Sequence, residues 1–174
     1  MNNFARIKPI VQFREVSYYS VCMNDNEISL FDNFITFHEE QNKEKLNHIL
    51  TWIQTIGNKY GAQSQYFRSE AFISDTAALP PNGKNRKPCY TESGEAKSNN
   101  LRLYCLRANE HVVFLFNGDL KTNEKAQDCP KVKGHFMLAN QLTLAIDKAF
   151  KEKVIQWNED YTKINYSQDL KLYL

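Results

Sequence analysis

Seven residues, Leu101-Arg102-Leu103-Tyr104-Cys105-Leu106-Arg107, put two arginines into a run that otherwise reads as protein core. A guanidinium is permanently charged and presents five donors in one plane. A strand that carries one therefore offers a rigid seat for a phosphate or a carboxylate. Two outcomes are open to Arg102. It can face solvent and meet an anionic ligand, or it can pair with a carboxylate across the sheet while Tyr104 caps the edge of the core. A second apolar run follows and leads into Asn117-Gly118-Asp119-Leu120-Lys121, which ends in a third cation. Between 84 and 133 there are ten basic residues against six acidic ones, a local charge of +4 in a chain whose total is +2. Positive charge is concentrated here, and the rest of the chain is slightly acidic.

Metal chemistry has no comparable support. None of the four histidines forms His-x-x-x-His or lies near a cysteine pair, and Cys22, Cys89, Cys105 and Cys129 stand apart with no Cys-x-x-Cys. The expectation is no metal, no cofactor and reduced thiols. The opening MNNFARIKPIVQFREV has neither an apolar signal core nor a small-residue cleavage pattern. No window approaches the roughly 18 consecutive apolar residues of a membrane span. A cytoplasmic protein with no membrane partner is expected. At 174 residues, 42% hydrophobic and 24% charged, the chain suits one globular domain, and its 13% aromatic content supplies a core.

Several elements must position these cations. Loose alternation over 11–23, broken near Glu15, predicts a first strand. Ser29 with Asp32 three residues on predicts a helix start, followed by Leu30, Phe31, Phe34 and Phe37 at helical spacing. Leu46, Ile49, Leu50, Ile53, Ile56 and Tyr60 mark a second helix that ends at Gly57 and Gly61. Tyr66-Phe67-Arg68 reads as a short strand. The segment 74–100, rich in Pro, Gly, Asn and Ser, reads as a long mobile insertion within the domain. In 101–107, Leu101, Leu103 and Cys105 share one face while Arg102, Tyr104 and Leu106 share the other. The run 112–116 is apolar on both faces and predicts a central strand. Asp128-Cys129-Pro130 starts a long helix with the stripe Phe136, Ala139, Leu142, Ile146, Ala149, Phe150 and Val154. The polar, aromatic segment 157–174 ends in a short strand at 170–174. The class is α+β, an N-terminal strand and helical hairpin, an antiparallel sheet and a long C-terminal helix, with the helices largely on one face. Arg102 and Tyr104 then point out of the open face.

The pieces Tyr66-Phe67-Arg68, Leu101-Arg102-Leu103-Tyr104, VVFLFNGDLKT and Lys125-Ala126-Gln127-Asp128-Cys129-Pro130 follow one another in an order that resembles the RelE/HigB/ParE superfamily of bacterial toxins, including its phage-associated branch. The resemblance spans roughly 11–154 within a single RelE-like domain over 1–174. Two features depart from the family: the insertion at 74–100, and separated Lys121 and Lys125 in place of consecutive lysines.

The resemblance implies the toxin of a type II toxin–antitoxin pair, with a cognate antitoxin as partner. RelE-like and HigB-like members cut messenger RNA in the ribosome, whereas ParE-like members bind DNA gyrase and cut nothing. Metal-independent RNA cleavage needs fixed cations to offset the charge that develops on the phosphate. The set implied for this catalytic role is Arg102, Arg68 and Lys121. Tyr104, Lys125 and Gln127 are implied as RNA-binding residues, Tyr104 as a stacking surface for a base. His135 reads as a surface residue, and Asp160-Tyr161 as part of a plain tail. The readings carried forward are a ribosome-dependent endoribonuclease, a non-catalytic binder on the same fold, and an unrelated globular protein. Convergence of Arg102, Arg68 and Lys121 on one face separates the first two.

Overall fold

The computed structural model describes residues 2–70, 74–122 and 125–174 of the chain. Phe4–Gln12 (β1) and Ser17–Met23 (β2) form an antiparallel hairpin, so the break near Glu15 is a turn between two strands. Their register shifts between Pro9 and Val11, next to a proline that has no amide proton to give the ladder. Leu30–Gln41 (α1) begins as its sequence predicts: the Ser29 hydroxyl accepts from the Asp32 amide at 3.0 Å and donates to the Asp32 carboxylate at 2.8 Å. Lys43–Thr55 (α2) runs into one π-helical turn, Ile56–Tyr60, which stops at Gly61 with φ +74°. A side chain is rarely at ease at that angle, and glycine is.

Arg68–Ser69 (β3), Thr76–Leu79 (β4), Leu103–Arg107 (β7) and Val112–Leu115 (β8) complete one half of the main sheet. Between them lies a small hairpin of Thr91–Glu92 (β5) and Glu95–Ala96 (β6). Pro130–Lys151 (α3) has Pro130 in its first turn, and its N-cap is Cys129 with no side-chain capping bond. Asp128 stands one residue before the cap position. Ile155–Trp157 (β9) and Ile164–Tyr166 (β10) pair as a hairpin, and Leu172–Tyr173 (β11) joins the sheet beside β1. The sheet order is β11-β1-β2-β8-β7-β4-β3, with β2 and β8 parallel and every other pair antiparallel. The class is α+β, mostly antiparallel, with three helices of which the last is longest.

Two expectations change. The segment 74–100 is not all loop, because β4 lies inside it, wholly buried and paired with β7 from Thr76↔Leu106 to Leu79↔Leu103. Four residues ended by Pro80-Pro81 are too few to show a period. The helices also do not share a face. Tyr18, Ala77, Leu79, Leu103, Cys105, Val113 and Leu115 pack with Phe34, Leu46, Ile49, Trp52 and Ile53 of α1 and α2. On the other face Tyr19, Val21, Ala78, Tyr104, Leu106 and Phe114 pack with Val132, Phe136, Ala139, Leu142 and Ile146 of α3. The face carrying Tyr104 and Leu106 is apolar enough to hold a helix, and the stripe of α3 needs such a face. No open face remains over β7.

This arrangement has a stability signature. Ile53→Ala and Leu142→Ala each truncate a buried side chain, and each should cost roughly 2–5 kcal/mol. The two sites lie on opposite faces and share no cluster, so the double variant should lose close to the sum. Chemical denaturation of the four proteins gives the answer, and a coupling above about 1 kcal/mol between the sites contradicts the two-sided packing.

Candidate functional site

The three predicted cations do come together. Arg68 on β3 pairs across Ala78 of β4, and Ala78 pairs with Tyr104 of β7, so Arg68 and Tyr104 fall on one face of the sheet. Beyond β8 the chain keeps running along β7: Phe116 donates to the Tyr104 carbonyl, Tyr104 to Asn117, Arg102 to Asp119 and Lys121 to Asn100. The segment predicted as a lysine-bearing loop is thus an irregular continuation of the hairpin. It brings Lys121 beside Arg102.

Two of these cations meet a carboxylate that the sequence did not single out, Glu70, and Arg68 lies near enough to feel the charges of both Glu70 and Arg102. Lys121 Nζ lies 3.4 Å from Glu70 Oε2, and Arg102 Nε lies 4.0 Å from Glu70 Oε1. Arg102 also donates through Nη1 to the carbonyls of Asn99, at 2.7 Å, and Leu101, at 3.2 Å. Arg68 donates through Nε to the Pro80 carbonyl at 2.7 Å and through Nη1 to Asn82 Oδ1. Burial first, then the like charge of Arg102, brings the Arg68 guanidinium down to about 10, with Glu70 opposing. Burial also lowers Arg102, and Glu70 again opposes.

Arg102 is only 9% exposed and Tyr104 is fully buried, its ring 5.6 Å from that of Phe136 on α3. This corrects the expectation that both point into solvent. Helix α3 covers the face they occupy. Among the described residues, Arg102 Nε and the Tyr104 hydroxyl have no hydrogen-bond partner. Burial, reinforced by Glu70, raises the Tyr104 phenol well above its ordinary range, so at neutral pH it is a donor and not a base.

The other predicted residues stay apart from the cluster. Lys125 is exposed beside a short 3-10 turn, Ala126–Asp128. Gln127 has its backbone in that turn, and its side chain lies outside the described residues. His135 is half-buried on a groove with Phe37, Gly118 and Asp119, and burial lowers its pKa. Tyr161 turns back instead to the β7–β8 turn, where its carbonyl accepts from Asn109 at 2.8 Å.

A second feature adjoins the cluster through Arg68 and Asn99. The segment 80–99, which contains the β5–β6 hairpin, folds over α2, held by His48, whose Nε2 donates to the Pro88 carbonyl at 2.9 Å while its Nδ1 accepts from Asn99 at 2.9 Å. Between this segment and α2 lies a narrow crevice of about 10 Å³, room for about one water. Among the described residues its cations are Arg68, Lys84, Arg86 and Lys97 and no carboxylate lines it directly, although the lining Tyr90 hydroxyl donates to Glu92 at 2.6 Å. The Arg86 guanidinium lies over the rings of Tyr66, at 5.4 Å, and Trp52, at 5.8 Å.

Comparison with protein-family models, curated proteins and solved structures returns no match. Function must therefore be read from these two features. Among the described residues, no three His, Cys, Asp or Glu side chains gather where they could hold a metal ion, and no helix is long and apolar enough to cross a membrane.

Glu70 had a signal in the sequence. It stands two residues after Arg68 on an extended segment, and a period of two puts both on one face. Arg86 and its aromatic seat had none. The contact joins a polar loop without periodicity to two rings that helical spacing assigns to the core.

Proposed function

We propose that this chain is the toxin member of a toxin–antitoxin pair on a RelE-like α+β scaffold, and that it acts by binding RNA and not by cutting it. The observation that carries this reading is the meeting of Arg102 and Lys121 on Glu70 with Arg68 close by, next to the further cations of the crevice. Three cations against one carboxylate leave an excess of positive charge for phosphates. Cleavage asks more. A phosphate in transition toward five-coordination must touch the cations that stabilise it. Arg102 is buried and already faces Glu70, and Tyr104 is sealed beneath α3. The partners of this reading are a cognate antitoxin and single-stranded RNA.

The test is expression of the wild-type chain in bacterial cells, followed by growth and by the length of several messages. The expected result is slowed growth with messages intact. Fragmented messages in the same cells restore the nuclease reading, and unimpaired growth removes the toxin reading altogether.

A further inference from the structure

We infer that the segment 80–99 is a strap that covers the arginines of the cation cluster, and that His48 is its acid-released clasp. With the imidazole neutral the strap is shut, and a proton on His48 lets it lift. The inference rests on the RNA-binding reading for what the freed arginines meet, and it names the regulation of that site.

Both ends of the strap occupy guanidinium donors. At its start the Pro80 carbonyl accepts from Arg68 Nε at 2.7 Å, and Asn82 Oδ1 accepts from Arg68 Nη1. At its end the Asn99 carbonyl accepts from Arg102 Nη1 at 2.7 Å. A donor held by the chain's own oxygen is withheld from a phosphate. Between the ends the strap lies close on α2, with a crevice of only about 10 Å³ beneath it. Arg86 helps to hold it there, bonded through Nη1 to the Gln65 carbonyl at 2.9 Å and seated over the rings of Tyr66 and Trp52.

The clasp works in one protonation state. Asn99 cannot turn its amide around, because its Oδ1 accepts from the Leu101 amide at 3.0 Å and its Nδ2 donates to the Lys45 carbonyl at 3.0 Å. Its second Nδ2 hydrogen points at His48 Nδ1, 2.9 Å away, so that nitrogen must accept. The ring proton then sits on Nε2 and goes to the Pro88 carbonyl, since Trp52 Nε1, 3.2 Å from Nε2, is itself a donor. A second proton would have to enter on Nδ1, where it meets the Asn99 amino group. Donor then faces donor, and the clasp parts.

The surroundings oppose that proton as well. Arg68, Lys84, Arg86 and Lys97 line the same crevice, and Lys45 stands one turn earlier on α2. The carboxylates nearby are Glu44, also one turn earlier on α2, and Glu92, bonded to the Tyr90 hydroxyl, whose ring lies 5.7 Å from the imidazole. Burial lowers the His48 pKa, with the Pro88 carbonyl opposing. In the open strap His48 returns to the ordinary value of about 6.5. Below that value the open form binds more protons than the shut one, so closure is at full strength above it and weakens as pH falls.

The experiment follows the full chain at about pH 7.5 and about pH 5.5, one unit either side of the free imidazole value. Amide hydrogen exchange, corrected for the intrinsic rate at each pH, is read by NMR at Lys97 and Leu101, whose amides bond to the Tyr90 carbonyl and to Asn99 Oδ1. In wild type their protection should fall roughly threefold to tenfold at the lower pH. His48→Gln cannot titrate and should show no such fall. Asn99→Asp presents an acceptor to Nδ1, so acid should tighten the strap and protection should rise. The same proteins are titrated with rhodamine-labelled oligouridine at fixed salt. Wild type should gain affinity on acidification by roughly threefold to tenfold more than His48→Gln, which keeps the other histidines, because binding is scaled by the open fraction. Equal protection of wild type at both pH values, or the same fall in His48→Gln, overturns the clasp. Opening that depends on His48 while the affinities of wild type and His48→Gln change alike overturns the cover. Opening that depends on His48 with no oligouridine bound at either pH removes the RNA-binding reading and leaves the clasp standing.

Discussion

Arg102→Ala should destabilise the chain by about 3–5 kcal/mol, the loss expected when one partner of a buried ion pair is removed. The change leaves Glu70, whose side chain is 8% exposed, with Lys121 as its remaining ion-pair partner at 3.4 Å. It also removes the donor from the carbonyls of Asn99 and Leu101. Each buried carbonyl left without a donor adds to the loss. A solvent-facing arginine would behave differently, since its removal would leave the fold intact. Urea denaturation of wild type, Arg102→Ala, Glu70→Ala and the double variant separates the two cases. The double variant should recover part of the loss, because a buried charge without its partner costs more than the absence of both. A loss below about 1 kcal/mol for Arg102→Ala contradicts the buried pair.

The sequence and the structure agree most closely where one element decides its own form. Ser29 with Asp32 set the start of α1, Gly61 set the end of the second helical segment, and Pro130 opened α3. The alternation in 101–107 was also legible: odd residues pack toward α2 and even ones toward α3. What the alternation could not supply was the second layer. One arginine made the even face look wet, yet Tyr104 and Leu106 on that face are core residues, and only the docking of α3 reveals it. The same limit applies to the cations. Their convergence could be expected from strand pairing, but the carboxylate beside them depends on β3, an edge strand two residues long that pairs with β4. The basic crevice lay further out of reach, since its position depends on how a loop without period returns to α2.

Gly118→Ala should be as damaging as the loss of Arg102, for a reason of space alone. A Cβ at Gly118 would fall on the Arg102 carbonyl oxygen, and it would also lie 2.8 Å from the Arg102 carbonyl carbon and 3.2 Å from Leu103 Cα. All three atoms are backbone of the strand region that carries the cluster, so no flexible side chain can move aside. The segment 117–119 would have to lift away from β7. That would strain the bonds from Tyr104 to the Asn117 carbonyl and from Arg102 to the Asp119 carbonyl, both 3.0 Å. It would also strain the bond from His38 Nε2 to the Gly118 carbonyl at 3.1 Å. Three hydrogen bonds at about 1 kcal/mol each, with a steric term of about 1–3 kcal/mol, give a loss near 4–6 kcal/mol. Gly134 supplies the control. It lies within α3, a Cβ there meets nothing within 4 Å, and alanine is the better helix former by about 1 kcal/mol. Thermal unfolding should therefore move in opposite directions, down for Gly118→Ala and slightly up for Gly134→Ala. If Gly118→Ala unfolds within a few degrees of wild type, the chain after β8 does not lie against β7, and Lys121 is not held beside Arg102 in the way that gives the cluster its charge.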